Sequence, residues 1–143
     1  NNMLQTILAI SGKPGLYKLV SRATNSLIVE TLDETHRRIP AFGTDKITSL
    51  ADIAMFTETD DVPLGQVLNN LKELEEGKVS SIDYKKASGP ELREYFAKVL
   101  PDFDRDRVHN SDIKKLIQWY NILINAGITE FVSEENEEEA TEE

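Results

Sequence analysis

The run from Asn110 to Gly127, NSDIKKLIQWYNILINAG, constrains the fold more than any other stretch. Ile113, Leu116, Ile117, Tyr120, Leu123 and Ile124 recur at helical spacing, so these six share one helix face. Trp119 and Ile122 widen the apolar surface beyond a narrow stripe. A helix this apolar must be covered by the rest of the chain or by a partner.

Two further helices are expected to supply that cover. Leu64, Val67, Leu68, Leu71 and Leu74 form one stripe, with Pro63 in the first turn, Asp61 as a cap and Gly77 as the stop. Ser88 and Glu91 stand at capping-box spacing ahead of Leu92, Tyr95, Phe96, Val99 and Leu100. Residues 78–87 read as a polar linker laid over the surface. Residues 102–109 read as a charged loop anchored by Phe103 and Val108, and Asn110 or Ser111 caps the final helix. Trp119 is expected near the junction of the three helices.

The first half has a different grammar. Leu4–Ile10 fits a strand or a short helical turn, and Ser11–Gly15 (SGKPG) is a loop signal. Leu16–Ser21 and Leu27–Leu32 read as a β-hairpin. His36–Phe42 is a third strand, and Pro40 places it at an edge or at the strand's end. Thr48–Asp52 suggests a turn of helix, and Ile53–Thr57 a last short strand. Leu16, Lys18 and Val20 share one face of the first strand, Tyr17 and Leu19 the other, so neither face is wholly polar. A small flat sheet also leaves edges open to mispairing. The resulting expectation is an α+β chain: a small curled β barrel or sheet, SH3-like, followed by a three-helix region. Its divisions are a β domain at 3–60, a helical domain at 61–132 and an acidic tail at 133–143. Asn1 and Asn2 are left out of this reading.

Charge narrows the function classes. The 143 residues carry a net charge of −10. Residues 133–143 hold seven glutamates and no cation, so the remainder carries only −3. Like-charge repulsion argues against folding of that tail, which solubilises the chain or touches a basic partner. An acidic balance disfavours a wide nucleic-acid footprint. The absence of cysteine excludes disulfides, thiolate catalysis and cysteine-based metal sites. No apolar run approaches the roughly 18 residues of a membrane span. No secretion leader is visible, so a cytoplasmic setting is the default expectation.

Asp102–Arg107 (DFDRDR) is the loudest local pattern. Its alternating aspartates look like the opening of a calcium loop, but Arg107 and Ile113 stand where that loop needs glycine and glutamate. An ion-paired capping loop explains it better. His36 and His109 are the only histidines, and nothing in their spacing makes a zinc site. SGKPG lacks the length and ending of a phosphate-binding loop. No nucleophile–base pair is readable from spacing, so no catalytic residue, cofactor or metal ligand is assigned. Asp104, Arg105, Asp106, Arg107 and Trp119 are the candidate interaction residues. Lys18, Arg22, Arg37, Arg38 and Lys46 are the candidate nucleic-acid residues, with Tyr17 as an aromatic aid.

The segments ILAISGKPGLYKLVSRATNSLIVETL, PEL-x3-F-x3-LP-x-FDRDRV and SDIKKLIQWYNIL together resemble a family of short Bacteroidetes-type bacterial proteins described as domains of unknown function. The resemblance covers nearly the whole chain except Asn1, Asn2 and the acidic tail. It implies an N-terminal β domain for the first segment and a helical remainder for the others. It places Gly12, Pro14, Gly15, Tyr17, Asp104, Arg105, Asp106, Arg107, Trp119 and Tyr120 in signature stretches, and it implies no activity or ligand. The function expected on all these grounds is a non-enzymatic protein-interaction or structural module, acting on a protein partner or by self-association. The alternatives are a nucleic-acid-associated protein using the β-domain cations, and an enzyme with a pocket between the two halves.

Overall fold

A computed structural model describes residues 3–13 and 15–131. A 3-10 turn at Met3–Thr6 leads into β1 (Ile7–Ile10), followed by β2 (Tyr17–Arg22), β3 (Ser26–Thr31), β4 (Arg38–Phe42) and β5 (Ile47–Ser49). A second 3-10 turn, Leu50–Asp52, leads to β6 (Ala54–Phe56) and β7 (Asp61–Pro63). The helices are α1 (Leu64–Leu74), α2 (Gly89–Val99) and α3 (Asn110–Asn125). The acidic tail at 133–143 lies outside the described residues.

The expected curled, SH3-like barrel is not formed. Five strands make an open antiparallel sheet in the order β4-β3-β2-β1-β5, and β6 pairs with β7 in a separate ribbon. The outer strands are protected in other ways. Pro40 sits within β4 and withholds one donor, as its edge position requires. β5 is only three residues long and runs directly into the Leu50–Asp52 turn. The two-sided apolarity that suggested curling has another cause. Leu8, Ile10, Tyr17, Val29 and Ala41 form a small cluster on one sheet face. Ile7, on the opposite face, joins the main core beneath the helices.

That main core runs through both halves of the chain. Leu4, Ile7, Leu50 and Met55 pack with Leu68, Leu71, Phe96 and Tyr120. Of the six residues on the predicted α3 face, Ile113, Leu116, Ile117, Tyr120 and Leu123 are buried and Ile124 is half-buried. Trp119 is also only half-buried. The aromatic side chain enclosed at this helix is its neighbour Tyr120, which is fully buried.

The caps follow their chemistry, with two corrections. Ser88 and Glu91 form the expected capping box. Asp61 does not cap α1, because it pairs in β7 and Pro63 takes the capping position. His109, not Asn110 or Ser111, caps α3, and its backbone N–H donates to Asp112. Gly77 ends α1 with φ +80°, where its N–H reaches the Lys72 carbonyl at 2.9 Å. Residues 78–87 are irregular, as expected, but they are tied down. The Ser80 N–H donates to Asn121 at 2.8 Å, and Ile82 and Tyr84 pack against the main core. Among the described residues, no helix is long and apolar enough to cross a membrane.

Candidate functional site

The charged loop before α3 is held at the surface by its own turn and by the end of β6. Asp104 accepts hydrogen bonds from the backbone N–H groups of Asp106 and Arg107 at 2.9 and 3.1 Å. Its other oxygen accepts from Arg107 Nε at 2.8 Å. These contacts, that of the Arg107 side chain first, hold the Asp104 carboxyl below the ordinary carboxylate range. Arg107 also donates to the Thr57 carbonyl at 3.3 Å and stacks 4.3 Å from the centre of the Phe56 ring. Arg105 lies 3.9 Å from the ring centre of Phe103 and donates to the Pro101 and Phe103 carbonyls. Thr57 and Phe103 form a β-bridge. Asp104 and Arg107 therefore fasten this loop to the end of β6, and Arg105 braces the loop from within. Asp106 is exposed and adds its backbone N–H to the turn.

The nucleic-acid candidates are dispersed. Lys18 and Arg38 share a sheet face, but β3 runs between their strands and places Glu30 in the same row. Arg38 and His36 each pair with Glu30 at 3.4 Å. Arg22 ends β2 beside the turn to β3, and the backbone N–H of Arg37 donates to Thr31 Oγ1 at 3.0 Å. Lys46 lies by β5, at the opposite edge of the sheet from Arg38.

Lys46 does join a site, with residues that sequence spacing does not group with it. The β1–β2 loop, β5 and α3 enclose a cleft of about 490 Å³. Trp119 and Gln118 form its helical wall, and Lys13, Lys46 and Lys115 line it from the β1–β2 loop, the β4–β5 turn and α3. None of these three ammonium groups has an ion-pair partner among the described residues. The described lining holds no carboxylate or imidazole. Ala9 and Thr48, directly paired across β1 and β5, also border it. A second cleft of about 230 Å³ shares Ile53, Lys115 and Trp119 with the first. Its other walls include Met55, Leu64, Val108 and Leu116, with Asp112 as its acid. The indole thus separates a cationic recess from an apolar one.

Of the candidate residues read from the sequence, Asp104, Arg105 and Arg107 stay together in their own loop, and Trp119 and Lys46 are the ones that meet at this cleft. Lys13 and Lys115 are not among those candidates, because lysines separated by 33 and then 69 positions along the chain become neighbours only in the tertiary fold. Among the described residues, no group of three or more histidine, aspartate or glutamate side chains is placed to hold a metal ion.

Residues 4–50 match the model of a domain of unknown function (DUF5606), and residues 53–123 match a second domain of unknown function (DUF6852). A solution NMR structure of a structural-genomics target from Bacteroides vulgatus is similar throughout. It shares 65% sequence identity with a TM-score of 0.76, over 91% of this chain and 92% of that one. No curated protein matches the chain.

Proposed function

The chain belongs to the family that joins a DUF5606 domain to a DUF6852 domain, and for it we propose a non-catalytic interaction module whose binding site is the cleft at Trp119. One observation carries this reading: three lysines without ion-pair partners among the described residues converge on a half-exposed indole. Aromatic side chains in a recess of this size supply contact area at low entropic cost. Cations left without partners favour an anionic ligand. The described lining holds no carboxylate or imidazole to work as a general acid or base. The neighbouring Asp104–Arg107 loop supports the site as scaffold, since the charges of Asp104, Arg105 and Arg107 are engaged by its own turn and by β6.

Backbone amide shifts test this directly. A panel of anionic peptides and small metabolites is added to the labelled protein. The expected result is a set of shifts confined to residues 9–13, 46–48 and 115–119. Shifts that avoid those residues, or none with any ligand, sink the reading.

A further inference from the structure

Resting on that reading, the geometry points to a specific ligand class: a short acidic peptide segment that carries one large apolar side chain. The two recesses are contiguous and chemically unlike. The larger one offers the ammonium groups of Lys13, Lys46 and Lys115. The smaller one, behind Trp119, is walled by Met55, Leu64, Val108 and Leu116. Exposed ion pairs each contribute little, so three surface lysines alone hold an acidic segment weakly. Burying an apolar side chain in the adjoining recess supplies the affinity, and the lysines supply orientation and selectivity. A nucleotide fits less well. Its base would stack on Trp119, but it carries no large apolar group to fill the recess walled by Met55, Leu64, Val108 and Leu116. The chain's own residues 133–143 supply seven glutamates but only Ala140 as an apolar residue, so they lack the large apolar side chain of this ligand class.

The chain's single tryptophan lies at the meeting point of both recesses, so its fluorescence reports on this site alone. The probe is a synthetic octapeptide of aspartates and glutamates around one phenylalanine, titrated into the 143-residue protein. A saturable change in emission is expected, weakening about tenfold or more with Lys46→Glu or Lys115→Glu. These exposed lysines leave the core untouched. Replacing the peptide's phenylalanine with serine is expected to weaken binding about tenfold as well. Raising salt from about 50 to about 200 mM should weaken the acidic peptide further. A variant of the same chain with the seven tail glutamates changed to glutamine removes competition from the chain itself. Binding to either form supports the inference. Binding to neither overturns it, as does equal binding of the serine peptide or preferential binding of adenosine monophosphate. Amide shifts in the same cleft with other anions, but no response to this peptide, overturn the acidic-peptide inference and leave the binding-cleft reading standing.

Discussion

The Tyr120 hydroxyl donates a 2.5 Å hydrogen bond to the Lys78 carbonyl, joining the middle of α3 to the segment that leaves α1. Tyr120 is fully buried, and its ring lies 6.2 Å from that of Phe131. Removing the hydroxyl alone, as Tyr120→Phe, leaves the packing and orphans a carbonyl, so a loss of about 1–2 kcal/mol is expected. Tyr120→Ala empties the site and is expected to cost about 3–5 kcal/mol. Urea denaturation measures both.

Trp119 stands one position earlier and behaves differently. Its half-burial predicts a loss of only about 1–2 kcal/mol for Trp119→Ala. The same substitution should abolish peptide binding at the cleft. A stability loss equal to that of Tyr120→Ala would contradict the half-exposed placement.

Gly65 is required for space. A Cβ there would collide with the carbonyl oxygen of Phe131. Gly65→Ala should cost about 1–3 kcal/mol, because backbone must move to admit it. Gly43 has nothing within 4 Å of the corresponding position, and Gly43→Ala should stay within about 0.5 kcal/mol of the parent. Thermal melting of the two variants side by side decides the matter.

Acid should weaken the Asp104 staple. The folded state holds this carboxyl below its ordinary range, so the unfolded chain takes up the proton more readily. The contribution is full above a pH of about 4 and is lost as pH falls further. Asp33, held at about 2 by hydrogen bonds from Thr35 and Thr31, adds to the same acid slope. Asp104→Asn should therefore flatten only part of the fall in melting temperature below about pH 4.

Alkali should act through two tyrosines. Burial, with help from the Glu75 carboxylate, raises the Tyr95 phenol above its ordinary range, and burial pushes Tyr120 up to about 12. Both favour the protonated phenol in the fold. Their contribution is complete below a pH of about 10 and declines as pH rises toward the folded values. Phenolate absorbance should lag in the native protein, and Tyr95→Phe should flatten part of the alkaline loss of stability.

Much of the chain was legible from local chemistry. The helix stripes of α1, α2 and α3 follow from a 3.6-residue period, and Ser88 with Glu91 announces the start of α2. Pro40 correctly marks β4 as an edge, since a missing N–H excludes it from a central strand. Phe103 and Val108 were readable as loop anchors because apolar side chains stand out among charges. These are properties of neighbouring residues, and they survive without knowledge of the fold.

What only tertiary structure decided lies between distant segments. Strand count does not say whether a sheet closes, because closure depends on pairing between residues far apart; here β4 and β5 remain opposite ends. Periodicity put Trp119 and Tyr120 side by side on one helix but could not tell which would be enclosed. That depended on where Lys78, Phe131 and the β1–β2 loop come to lie. The meeting of Lys13, Lys46 and Lys115 at the indole has no local signature at all. Their charges become a site only because packing removes the distance that the chain puts between them.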